Sequence, residues 1–151
     1  MISLELARRL RRAGLRWEPQ EGDRFIVPDR GMDDMVFTVS GMTVDVRQVP
    51  GGTIIAFNGT VEWALDAVEE WEAVWLPSEQ QLRESLGDDV RALVREDARW
   101  RCEMCTDGRS WSRSAATVSE SYGRALLEVL TVRTEAEIAS LRGRSTGTGS
   151  R

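Results

Sequence analysis

The sequence contains no histidine and no lysine; all 20 of its basic side chains are arginine. Without histidine there is no Ser-His-Asp or Cys-His nucleophile pair and no imidazole to act as base or metal ligand. Without lysine there is no phosphate-loop ammonium, no Schiff base and no amine base. The missing lysine is what codon usage in a GC-rich genome produces. Two cysteines are too few for a disulfide framework. No run approaches the roughly 20 apolar residues that span a bilayer. The opening MISLELARRLRRAG lacks the apolar core of about 7–15 residues that marks a signal peptide, so the cytoplasm is the expected location. A formal net charge of −5 argues against nucleic acid as a partner.

What is present suits one soluble domain. The 151 residues are 41% hydrophobic and 30% charged, long enough to bury roughly two-thirds of the unfolded surface without staples. Ile2, Leu6, Leu10 and Ala13 form one stripe of a helix over about 3–13, opposite Arg8, Arg9, Arg11, Arg12 and Arg16. The period then changes to two over 24–28, 35–39, 42–49 and 53–57, with Ser40-Gly41 and Pro50-Gly51-Gly52 as turns. A second helix is expected over Val61 to Trp71, with Thr60 as its cap and a stripe of Val61, Ala64, Leu65, Val68 and Trp71. Glu72 to Leu76 reads as a strand or connector. Ser78 and Gln81 have capping-box spacing for a helix that stops at Gly87. Strands return from Val90, and Asp107-Gly108 is a strong hairpin turn.

A last helix is expected from Glu120 to Leu130, buried along Tyr122, Leu126, Val129 and Leu130. Thr134 and Glu137 then cap a short extra turn ending near Leu141. The expectation is a single α+β domain over 1–142, antiparallel hairpins with helices packed on one side, and a disordered Gly/Ser/Thr/Arg-rich tail over 143–151. Helix, strands, helix occurs twice in this order, so two similar halves are a topology expectation without residue identity between them.

Three features carry candidate chemistry. Cys102-Glu-Met-Cys105 has the spacing of a redox pair or half a zinc site, but no histidine or further cysteine completes a site within one chain. On a strand the two sulfurs face opposite ways, so Trp100, Cys102 and Met104 read as a core face. The acidic pairs Asp33-Asp34, Glu69-Glu70 and Asp88-Asp89 diverge as neighbours do and read as solvated surface, while the loop over 29–34 could bind a cation but lacks the spacing of an EF-hand. Residues 1–17 carry five Arg and one Glu, whereas residues 62–72 carry four Glu and one Asp. The two segments can therefore pair within the fold or across a dimer.

Six tryptophans are many for this length. Trp63 projects off its helix stripe, and Trp17 and Trp75 lie close to prolines at segment junctions. These suit an exposed protein interface, with Arg8, Arg9 and Arg12 beside them, while Trp71, Trp100 and Trp111 are expected in the core. The opening Leu4-Glu5-Leu6-Ala7 with Ala13-Gly14-Leu15 carries a wider likeness, together with Phe57-Asn58-Gly59-Thr60, Trp63-Ala64-Leu65 and Trp75-Leu76-Pro77-Ser78 with Leu82 and Leu86-Gly87. Across about residues 2–131 the chain resembles a small family of proteins from high-GC bacteria, often labelled pilus assembly protein. That resemblance implies a family and no activity, and an assembly ATPase would need the absent lysine loop. The leading expectation is a non-enzymatic interaction or assembly-accessory module with a protein partner or homodimer, no metal and no cofactor. The alternative is a small enzyme using carboxylates, Cys or Tyr122 in a cleft between sheet and helices.

Overall fold

A computed structural model describes residues 1–29, 34–40, 44–57 and 67–145. Helix α1 (Leu4–Arg12) starts where the Ser3 hydroxyl accepts the Leu6 N–H. It buries Ile2, Leu6 and Leu10, as the stripe requires. Gly14, at φ +99°, turns the chain away in the left-handed region that glycine tolerates. Six strands follow: β1 (Arg24–Ile26), β2 (Phe37–Thr38), β3 (Val44–Val49), β4 (Gly52–Phe57), β5 (Ala67–Glu69) and β6 (Val74–Leu76). Then come α2 (Glu79–Leu86), the strands β7 (Val90–Glu96), β8 (Arg99–Thr106) and β9 (Arg109–Ala115), and finally α3 (Val118–Ser145). The strands form three antiparallel sheets, ordered β2-β1-β6, β3-β4-β5 and β7-β8-β9. The fold is thus α+β.

Pairing of β1 with β6 joins residues about 50 apart in sequence: Arg24 faces Leu76, Phe25 faces Trp75 and Ile26 faces Val74. Because strand side chains alternate, this ladder presents two different faces. Ile26, Val74 and Leu76 enter a first core with Leu6, Leu10, Leu82, Leu86, Cys102, Met104, Tyr122, Leu126 and Val129, to which all three helices contribute. Phe25 and the half-buried Trp75 turn the other way, into a second core with Trp17, Val27, Val39, Ile55, Val68 and Ala73. Each large apolar side chain so buried contributes about 1.5–3 kcal/mol.

Local signals set several boundaries. Ser78 and Gln81 form the reciprocal capping box of α2, with bonds of 2.9 and 3.2 Å. Gly87 ends that helix at φ +64°. Asp107 and Gly108, both at positive φ, make the β8–β9 turn.

Two expectations are corrected. Residues 67–71 are not helical: Ala67–Glu69 pair with β4 in the register Ile55 to Val68, and Glu70–Glu72 form a 3-10 turn. Residues 61–66, the rest of the expected helix, lie outside the described residues, as do Gly41 and Met42. Val68 is an apolar position in either period, and the free hydrogen-bonding edge of β4 decides for the strand. The second correction is at the C-terminus, where α3 runs unbroken through 130–134. Thr134 caps nothing; its hydroxyl donates to the Leu130 carbonyl at 2.9 Å, as Thr131 does to Leu127 at 2.8 Å. Residues 143–145, assigned above to the tail, complete this helix.

Helix α1 packs tightly on α3 at Gly123, where a Cβ would stand 2.8 Å from Leu6 Cδ2. Gly123→Val should therefore push the helices apart and cost about 1–3 kcal/mol. The check is the urea midpoint, which should fall at unchanged m value; wild-type stability would show that this contact is not tight.

Candidate functional site

The site is built around a buried carboxylate. After Gly14 the chain lays Trp17 on Trp75 of β6, and the Trp17 indole N–H donates to Asp23 Oδ2 at 2.8 Å. The same oxygen accepts the Gln20 N–H at 3.0 Å, and Oδ1 accepts Gln81 Nε2 at 2.6 Å. Asp23 is only 5% exposed, so these three bonds replace its water. Gln81 thus has two tasks, capping α2 with its oxygen and binding Asp23 with its nitrogen. The Asp23 carbonyl also accepts the Val39 N–H at 2.8 Å, and the neighbouring Gly22 N–H donates to the Val39 carbonyl at 2.8 Å. One residue therefore links the post-α1 segment, β1, the residue following β2, and α2.

Above this hub lies an aromatic layer. Trp17 and Trp75 stack with centroids 6.4 Å apart and planes 7° from parallel, and Trp17 also meets Phe25 at 5.6 Å. The Trp75 Nε1 is buried and has no hydrogen-bond partner. On the other side Arg11 Nη1 donates to the carbonyls of Trp71 and Ala73 at 3.0 and 2.9 Å. That clip ties the 3-10 turn to α1 and leaves the Trp71 side chain 72% exposed. Between turn and helix lies a groove of about 700 Å³, lined by Leu15, Trp17, Trp71, Ala73 and Trp75 with Glu18 and Glu70 at its polar margin. A second cavity of about 390 Å³ shares Arg16, Glu18 and Trp75 with it and adds Gln81 and Glu84.

The structure redistributes the residues singled out from sequence. Trp17 is buried at 9% exposure, not an exposed anchor, because its N–H is held by Asp23 and its ring by Phe25 and Trp75. Trp75 is half-buried in the same stack. Trp63 lies outside the described residues. Trp71, expected in the core, is instead the exposed indole of the groove. Trp100 and Trp111 are half-buried beneath the guanidinium groups of Arg95 and Arg113, at 5.7 and 5.4 Å. Arg9 and Arg12 are exposed on the outer side of α1 and Arg8 is half-buried. The basic helix does meet part of the acidic segment, through Arg11 and the backbone carbonyls of Trp71 and Ala73. Asp23 was not singled out, and Arg11 was read only as one of the arginines opposite the α1 stripe, although a cation in the last turn of a helix facing a segment of opposite charge is a more specific signal.

The cysteines lie as a strand dictates. Cys102 is fully buried in the first core, its thiol 3.5 Å from Met104 Sδ, and Cys105 is half-buried on the opposite face; both are free. Burial pushes the Cys102 thiol up from 9 to about 11; Arg83 opposes the shift and Glu103 adds to it. The Tyr122 hydroxyl is likewise raised, first by burial and then by Cys102, against Arg83. Both groups are therefore held protonated within packed core. Asp88 and Asp89 follow α2, where Asp89 accepts Thr106 Oγ1 at 3.4 Å. Asp33 and most of the 29–34 loop lie outside the described residues. Among the described residues no three His, Cys, Asp or Glu side chains are grouped to hold a metal ion, and no helix is long and apolar enough to cross a membrane. No protein family, curated protein or solved structure matches the chain.

Three outcomes follow from this geometry. Trp17→Phe should cost about 1–3 kcal/mol more than Trp75→Phe, because only the first strips a bond from buried Asp23, while the second removes an unpartnered N–H. Paired urea titrations decide it, and equal losses would contradict the Asp23 hub. For the thiols, iodoacetamide at pH 8 should label Cys105 alone in the native protein and both in denaturant, read by mass spectrometry. Since the unfolded Cys102 ionises near pH 9 and the folded one near 11, stability should hold below pH 9 and fall as pH rises through 11. Cys102→Ala should flatten part of that fall, leaving the part due to Tyr122.

Proposed function

We propose that the protein is a non-enzymatic, cytoplasmic interaction module whose docking surface is the Trp71 groove. The observation that carries this reading is the 72% exposure of Trp71 at the margin of an aromatic groove. A tryptophan left in water forfeits burial of an area that would reach about 150–250 Å². Here the Arg11 clip holds the neighbouring backbone so that the ring stays out, at a rigid rim. Rigid, exposed tryptophans beside a pocket are the residues that dominate binding energy when a partner covers them.

Arg9 and Arg12, exposed on the outer side of α1, and the half-buried Arg8 add positive charge to the helix that carries Arg11, suited to steering and orienting a partner. The resemblance to proteins labelled for pilus assembly makes an assembly-accessory role part of the same proposal.

Trp71→Ala tests the proposal. Its stability should match wild type, because the ring contributes little to either core. Capture of a partner from native lysate, or self-association by light scattering, should weaken by roughly thirtyfold or more, the loss of a hot-spot side chain. Equal capture by the variant, or a monomer that captures nothing, would overturn the reading.

A further inference from the structure

The two cavities meet at Trp75, Arg16 and Glu18 and differ sharply in character. The larger is aromatic and aliphatic, and its Arg11 is already bound to two carbonyls. The smaller is polar and acidic. Of its carboxylates Asp23 is saturated by three donors, whereas Glu84 accepts one bond, from Gln80 at 2.8 Å, and Glu18 pairs with nothing among the described residues. Glu18 and Glu84 are both exposed. With Glu70 in the larger cavity, three carboxylates face one uncommitted cation, Arg16. Aromatic faces beside unpaired carboxylates attract a cation on a partly apolar stem and repel an anion.

Resting on the docking function proposed above, the geometry points to one class of occupant: an extended segment of a partner protein carrying a bulky apolar side chain next to a lysine or arginine. The apolar side chain lies on the Trp17–Trp75 floor against Trp71. The basic one lies in the second cavity, its stem along Trp75 and its charge between Glu18 and Glu84. An extended segment lets side chains a few positions apart reach both cavities, which share Arg16, Glu18 and Trp75.

The test selects phage-displayed random dodecapeptides on the immobilised full-length protein. Synthetic copies of the enriched peptides are then titrated by fluorescence anisotropy against wild type, Trp71→Ala and the double variant Glu18→Gln/Glu84→Gln. All three substituted residues are exposed, and matching urea midpoints confirm that the variants fold. Enriched sequences should place Lys or Arg within two or three positions of an aromatic or large aliphatic residue. Their affinity should fall with added salt, and by about fivefold in the Glu18→Gln/Glu84→Gln variant. Replacing the peptide's basic residue by Gln should lower wild-type affinity similarly and leave the double variant unaffected. Peptides that need Trp71 but lack a basic residue, or bind the double variant equally well, overturn this inference and leave the docking function standing. Peptides indifferent to Trp71→Ala, or no enrichment at all, overturn both.

Discussion

The short antiparallel ladder between β1 and β6 is the contact on which the other layers rely. Three residue pairs, Arg24–Leu76, Phe25–Trp75 and Ile26–Val74, close a loop of about 50 residues. Alternation along each strand then divides their side chains between two cores. Sliding the pairing by one residue would turn Ile26 and Val74 toward the aromatic core and Phe25 and Trp75 toward the helices. With Arg24 alone of these residues exposed and each face of the ladder given to a core, register is set from both sides at once. The three helices lie against one face, and the β3-β4-β5 sheet with Trp17 and Phe37 lies against the other.

Asp23 stands at the mouth of that ladder and converts it into a site. A buried carboxylate needs donors, and the three it has come from three separate places: an indole, a loop amide and the cap residue of α2. Satisfying the charge therefore fixes the height of Trp17 over Trp75 and the angle at which α2 meets the wall. Arg11 plays the complementary part on the far side, with a cation satisfied by carbonyls of the 3-10 turn. One anion and one cation, both held by neutral partners, bracket the groove. Of the charges left over, Arg16, Glu18 and Glu70 line the groove and Glu84 lines the second cavity.

Much of this was legible in the residues before any folding. The α1 stripe, the capping box at Ser78 and Gln81, the turn at Asp107-Gly108, the opposed faces of Cys102 and Cys105 and the buried side of α3 all depend on chemistry within a few residues. Where reading failed, the deciding partner lay far away. Val68 suits a helix stripe and a buried strand equally, and the edge of β4 chose between them. Thr134 and Glu137 have the spacing of a cap, yet the helix beginning at Val118 was already running and simply continued. Trp17 and Trp71 exchanged their expected places because an indole's burial follows from what meets its N–H and its faces.

The sequence by itself determined the chemical vocabulary: no imidazole, no amine, cations that are always charged, and indoles in unusual number. It also determined most secondary structure, since caps, turns and periodicity are local interactions. Only the tertiary structure decided which of these groups meet. Asp23 reaches Gln81 across 58 residues and Arg11 reaches Ala73 across 62. Contacts of that span arise from the closing of the β1–β6 ladder, so no local pattern around Trp71 could disclose that it would be the indole left in water.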